Sequence, residues 1–217
     1  MEDVAFKFPM IPASKRSLSQ RKLVFGVGVN DAEYKTYTRI EGKVKSCPYY
    51  SRWRDMLTRC YSRKYLEKYP TYKNCGVCEK WLIFSNFRNW MEKQDWKDKH
   101  LDKDLILPNN KVYSPETCVF VSNKTNCLLL DCGKLKGKCK QGVCLYKDSG
   151  KFLASCSNGK GIRQHLGLFP TESQAYEAYV TYKHALILKV AAEQEDIRVK
   201  KGLLLHADIL LDTLDGE

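Results

Sequence analysis

LDKDLILPNNKVYSPETCVFVSNKTNCLLL, residues Leu101–Leu130, is the stretch on which the fold turns. Leu101–Leu107 is short and β-compatible. Pro108-Asn109-Asn110 is a turn and Ser114-Pro115-Glu116 a second one, because proline presets φ and asparagine tolerates left-handed backbone. Thr117–Val121 is a β-prone run of branched and aromatic side chains. Ser122 stands where an N-cap is needed for a helix reaching Leu130, with Asn126 in its second turn. The order strand, loop, strand, helix sets Asp102, Lys103 and Asp104 on a strand and Asn126 on a facing helix. A strand carboxylate and a helix amide can hold one hard divalent ion through oxygen. Such an ion can stabilise the charge developing on a scissile phosphate while a nearby base activates water. Equally, Asp-Lys-Asp on a strand is the pattern of a solvated edge.

Toward the N-terminus, Trp53, Met56, Leu57, Cys60 and Tyr61 recur at i, i+3, i+4 and predict an amphipathic helix from Pro48. Arg52, Arg54, Arg59 and Arg63 lie mainly on its other faces and are candidate phosphate contacts. After a turn-rich stretch at 69–76, Phe84, Phe87, Trp90 and Met91 predict a second helix from about Ser85. Residues 1–46, punctuated by Phe25-Gly-Val-Gly-Val-Asn-Asp31, read as an arm.

Toward the C-terminus, Asp131–Lys140 holds two glycines and four lysines and reads as a linker. Three short strands are expected beyond it, at Gly142–Tyr146, Lys151–Cys156 and Ile162–Leu168. They are joined by Lys147-Asp-Ser-Gly150 and Ser157-Asn-Gly-Lys160, whose glycines supply the positive φ of hairpin turns. Thr171-Glu-Ser-Gln174 is a capping-box sequence opening a helix with Ala175, Ala178, Tyr179, Tyr182, Ala185 and Leu186 on one stripe. A last helix is expected around Leu203–Leu214. His165 and His184 read as structural, one in a Leu-Gly-Leu-Phe packing segment and one beside the apolar stripe.

Composition bounds the function. The 217 residues carry a formal net charge of +12 with 43% hydrophobic side chains, which suits one large or two small domains with real cores. No apolar run approaches the ~20 residues needed to span a bilayer, and Met1-Glu2-Asp3 is unlike a signal peptide. By segment the charge is +4 over residues 1–46, +6 over 47–130, +6 over 131–190 and −4 over 191–217. The expected partner is a polyanion, nucleic acid ahead of an anionic membrane surface. The ten cysteines read as reduced thiols, mostly small buried hydrophobes. Cys75-x-x-Cys78 has zinc-knuckle spacing, and Cys60 with Cys118 would complete a tetrahedral Zn²⁺ set.

The chain from Cys47 to Leu130 resembles the HNH (ββα-metal) homing endonucleases of bacteriophages. The resemblance is carried by Cys47-Pro-Tyr-Tyr50, Arg59-Cys-Tyr61, Val77-Cys-Glu-Lys-Trp81, Phe84-Ser-Asn-Phe87 and Leu101-Asp-Lys-Asp104, then Asn110–Cys118, Phe120-Val121 and Asn126. It implies Asp102 as the strand ligand and Asn126 as the helix ligand of one Mg²⁺ or Mn²⁺. Lys103 stands where the family usually places its histidine base, and Thr117 where it places a central asparagine. His100 would share a strand face with Asp102 only if that strand begins at 100. The C-terminal part resembles the APETALA/integrase-type DNA-binding domain through Gly142-Val143, Gly150-Lys-Phe152, Ala154, His165–Phe169, Thr171, Ala175 and Ala178-Tyr179. That resemblance implies a sheet lying in the major groove, with Tyr146, Lys147, Lys151, Lys160, Arg163 and Gln164 as candidate contacts. Period-2 alternation cannot put all of these on one face.

The expected organisation is α+β: an arm (1–46), an HNH-like domain (47–130), a linker (131–140), a sheet-and-helix DNA-binding domain (141–192) and an acidic helix (193–217). The resemblance implies metal-dependent hydrolysis of double-stranded DNA in the cytoplasm of an infected bacterial host. The alternative is a nuclease relative that has lost catalysis and serves in DNA binding or against a host or rival-element protein.

Overall fold

The computed structural model describes residues 8–129, 139–158 and 161–215, so Lys160 and residues 131–138 of the expected linker lie outside the described residues. The chain is mixed α+β. It gathers into two compact units, Met1–Lys97 with Asn110–Cys118, and Asp98–Asn109 with Val119–Glu217.

In the first unit the short α1 (Lys15–Ser19) precedes a hairpin of β1 (Tyr37–Ile40) and β2 (Lys43–Ser46). The hairpin turns at Glu41-Gly42, both in left-handed backbone. The 14-residue α2 (Pro48–Tyr61) begins on a proline, whose fixed φ suits a first turn. It buries Tyr50, Trp53, Met56, Leu57 and Cys60, close to the periodicity expected. After α3 (Arg63–Lys68) and β3 (Gly76–Val77) comes α4 (Phe84–Met91), which buries Phe84, Phe87 and Met91. This interior is aromatic, with Trp53 and Phe84 rings 5.5 Å apart and Trp81 and Phe87 5.1 Å apart. The Trp53 indole N–H donates to the Trp81 carbonyl at 2.7 Å, so its burial leaves no orphan donor.

The segment read as an arm is tied into this unit. Arg21 donates to the carbonyls of Asn30, Ala32 and Tyr34. Gly28 lies so close to α2 that a Cβ would run into Leu57 and Trp53.

Next the chain forms β4 (His100–Asp102) of the second unit and returns to the first as β5 (Val112–Tyr113), parallel to β3. β6 (Val119–Val121) pairs antiparallel with β4, setting His100 opposite Val121, Leu101 opposite Phe120 and Asp102 opposite Val119. α5 (Asn123–Leu128) follows at once, capped by Ser122, whose Oγ accepts from the Thr125 N–H at 3.1 Å. It packs on β4.

The three expected C-terminal strands are β7 (Val143–Tyr146), β8 (Lys151–Ser157) and β9 (Arg163–Phe169), an antiparallel sheet in the order β7-β8-β9. α6 (Glu172–Ala192) is capped by Thr171 and covers one face. Its buried residues are Ala175, Tyr179, Val180, Ile187, Val190 and Ala191. The expected stripe therefore holds for the first turns and then fails, since Ala185 is exposed and Ile187 buried. The reason is that α6 has two partners: the sheet takes one stripe, and α7 (Ile197–Asp215) takes another about 100° round the helix. α7 starts six residues before the expected Leu203. Its buried residues Val199, Leu203 and Ala207 join Leu105, Val119, Val121 and Leu128 in one core.

Among the described residues no helix is long and apolar enough to cross a membrane.

Candidate functional site

β4 stops at Asp102, not at Leu107, and the aspartate itself is the cause. Its Oδ1 accepts from the backbone N–H of Asp104 at 2.9 Å and of Leu105 at 2.7 Å, bending the chain into a side-chain-held turn. Leu105 is thereby driven into the core, 1% exposed. Burial first, and the neighbouring Asp104 charge second, push the Asp102 carboxyl above the ordinary aspartate range. Lys103 is 6% exposed and its ammonium lies 2.8 Å from Asp104 Oδ2. Lys103 is thus held within the turn by the carboxylate of its neighbour.

Two histidines flank this turn. β4 begins at His100, which meets the condition set by the sequence: His100 and Asp102 project from the same strand face, with Leu101 on the other. The second was not anticipated. His206 of α7 lies with Nε2 3.2 Å from the Asp104 carbonyl oxygen. Four residues earlier on the same helix, Gly202 faces the Leu105 backbone. The acidic tail thus supplies a wall of the site. Its only sequence signal was a glycine and a histidine spaced i, i+4 within an apolar run.

Asn126 sits partly buried on α5, the helix packed on β4. The candidate oxygen donors are the Asp102 and Asp104 carboxylates, neighbours in the turn, and the Asn126 amide on the helix packed against that strand. Crowding between the carboxylates, which favours a proton on Asp102, equally favours a divalent cation, and Mg²⁺ is commonly held by one or two carboxylates while retaining water. Among the described residues, no group of three or more His, Cys, Asp or Glu side chains is gathered as a metal cage.

The four cysteines with zinc-like spacing all belong to the first unit. Cys60, Cys75 and Cys118 are buried and Cys78 is partly exposed, and they too form no such cage. Thr117 is spent on its own loop: its hydroxyl donates to the Val112 carbonyl at 3.1 Å.

The four arginines do not form one face. At 100° per residue, Arg54 and Arg59 point about 140° apart on α2. Arg54 is exposed and donates to the Tyr37 hydroxyl at 3.2 Å. Arg59 turns inward instead, toward the hydroxyl of the fully buried Tyr113 at 3.5 Å. Arg63 belongs to α3 and pairs with Glu67 at 3.1 Å. Arg52 is partly exposed.

In the C-terminal sheet, register separates the candidates. Phe152, Ala154 and Cys156 face α6, and cross-strand partners share a face. The opposite face therefore carries Tyr146 and Lys151, which pair, together with Arg163, paired with Ser157. Gln164 pairs with Cys156 and belongs to the helix side. Lys147 lies in the hairpin loop after β7. The register shift between Ala154 and Ser155 leaves Leu166 as an extra residue that packs toward α6, which returns Leu168 to the open face. His165, read as structural, is exposed on that open face opposite Ser155. The Arg163 guanidinium is pre-set by donating to Ser155 Oγ at 2.8 Å.

Compared with protein-family models, curated proteins and solved structures, the chain matches none.

Proposed function

We propose that the chain is a DNA-binding protein with an HNH-like nuclease centre, hydrolysing phosphodiesters of double-stranded DNA with the help of a divalent ion. One observation carries this reading. An antiparallel strand pair leads directly into a helix packed on the first strand, with Asp102 ending that strand and Asn126 on that helix. Asp102 and Asn126 would hold Mg²⁺ or Mn²⁺, with Asp104 beside them, and the ion would supply Lewis-acid stabilisation of the phosphate. Lys103 locks the turn through Asp104 and is not the base. His100, on the same face as Asp102, is the imidazole of this strand proposed to act as the base. Binding is assigned to the open face of the C-terminal sheet. There Lys151 and Arg163 offer charge for phosphates or guanine edges, and Tyr146 and Leu168 offer apolar contact.

A second reading is favoured by the turn itself. Asp102 Oδ1 is already committed to two backbone N–H groups, as in a purely structural aspartate turn, which suits a DNA-binding protein that has lost catalysis. Supercoiled plasmid incubated with the protein and Mg²⁺ or Mn²⁺ separates the two. The nuclease reading expects metal-dependent nicking, abolished in Asp102→Ala while DNA binding persists. Binding without any metal-dependent nicking by the unmodified chain sinks it and leaves the second.

A further inference from the structure

We propose that the outward face of α7 is a self-association surface, on which a second copy of the chain docks antiparallel about a two-fold axis. Opposite the buried stripe of Val199, Leu203 and Ala207, the helix exposes Ile197, Lys201, Leu204, Leu205, Asp208 and Asp212. At 100° per residue these six fall within about 100° of arc, a single stripe. Ile197 is 59% exposed and Leu205 43%, in a helix whose other side is fully used.

The occupant is indicated by the order of the charges. The first turns of α7 are basic (Arg198, Lys200, Lys201) and the last are acidic (Asp208, Asp212). A two-fold axis placed between Leu204 and Leu205 maps the stripe onto itself: Leu204 faces Leu205 of the other copy, Lys201 faces Asp208, and Ile197 faces Asp212. Each interaction then occurs twice, as an isologous contact requires. A parallel pairing would instead set like charges side by side, which is disfavoured. Neither Lys201 nor Asp208 has an ion-pair partner among the described residues, so the charges are available for this use.

A stripe ~22 Å long is too small to bury the ~1,200–2,000 Å² of a tight complex. The dimer is therefore weak, a monomer–dimer equilibrium and not a permanent complex. The self-association stands whether or not the strand carboxylates cut DNA.

Sedimentation equilibrium of the full chain from about 1 μM to about 1 mM tests it, with circular dichroism confirming that each variant keeps its helix. The expected result is a monomer–dimer equilibrium weakened about ten-fold by Lys201→Glu and by Asp208→Lys separately. The double variant, in which every facing pair is again opposite in sign, recovers most of the lost affinity. Within one helix these two residues lie two turns apart, so an intrachain effect would not give that recovery. Leu204→Ser provides an uncharged disruption that should weaken the dimer as well. A monomer throughout the range, or a double variant no tighter than the singles, overturns the proposal.

Discussion

Gly202→Ala is the sharpest test of how α7 builds the wall of the Asp102 turn. Helix propensity alone favours alanine over glycine by about 1 kcal/mol at an interior position, and the unfolded chain loses entropy in the same direction. Steric contact opposes it. A Cβ at Gly202 would lie 2.5 Å from the Leu105 carbonyl oxygen, 2.8 Å from Leu105 Cδ2 and 3.1 Å from the Leu105 carbonyl carbon. Two of these three are backbone atoms. That backbone is pinned, because the Leu105 N–H donates to Asp102 Oδ1 and the Leu105 side chain sits in the core with Leu203 and Ala207. Relief requires the helix or the turn to move by roughly half an ångström or more, at the ~1–3 kcal/mol typical of overpacking, and the upper end applies when backbone must give. The steric cost wins, for a net loss of about 1–2 kcal/mol. In a chain of this size that lowers the melting temperature by about 2–8 °C. Thermal unfolding followed by circular dichroism reads the shift, with exposed Lys189→Ala on α6 as a control expected within about 0.5 kcal/mol of the unmodified chain. A Gly202→Ala protein as stable as the parent, or more so, would falsify the close approach and leave propensity as the deciding effect.

Asp102→Asn should be at least as stable as the parent at pH 7. Its amide oxygen can still accept the two N–H groups, while the native carboxyl, with its pKa raised by burial, contributes stability only below the unfolded aspartate value of ~3.9 and loses it as pH rises through the folded value. Urea midpoints measured from pH 4 to pH 8 should therefore diverge in favour of the asparagine variant as pH climbs, and a parent that is the more stable at pH 7 contradicts this. On the sheet, Arg163→Ala should weaken duplex binding about 5–20-fold and reduce the salt slope by about one, as for loss of a phosphate contact, whereas Gln164→Ala on the helix side should change neither. Fluorescence anisotropy across a NaCl series checks both, and equal effects of the two would contradict the assigned face.

Local pattern carried far in this chain, and the places where it stopped have physical causes. α2, α4 and the three C-terminal strands were legible because each buries a single face, which leaves one clean period. α6 was only half legible. Ile187 and Ala191 answer to α7 and not to the sheet, Val180 packs against both, and a helix buried on two sides loses the one-stripe signature. The end of β4 was missed because Leu105-Ile106-Leu107 continues the β-prone composition, while the event that stops the strand is a carboxylate turning back on two N–H groups. Faces of the sheet were ambiguous for a similar reason. Alternation separates Arg163 from Gln164, but it cannot say which side the helix covers, and the bulge at Leu166 shifts the pattern partway along β9.

The candidate centre shows the difference most clearly. Asp102, Lys103, Asp104 and Asn126 were all visible as residue types at suggestive spacing, yet spacing cannot assign their work. The structure spends Lys103 on Asp104 and one Asp102 oxygen on its own turn, and it brings in two histidines by different routes. His100 arrives by strand register, two residues away. His206 arrives from a helix that net charge alone had set apart from the basic footprint. That helix also packs against α6 beside the sheet, through Leu210 and Leu214 near Cys156, Tyr179 and Val180. One element therefore touches both the core under the Asp102 turn and the core under the three-stranded sheet, inside one compact unit. A nuclease built this way would not need a flexible linker to align reading and cutting, since the helix pair α6–α7 already holds both to a common core. The acidic tail belongs to that core, and its Asp208 and Asp212 are exposed on the stripe proposed to meet a second copy.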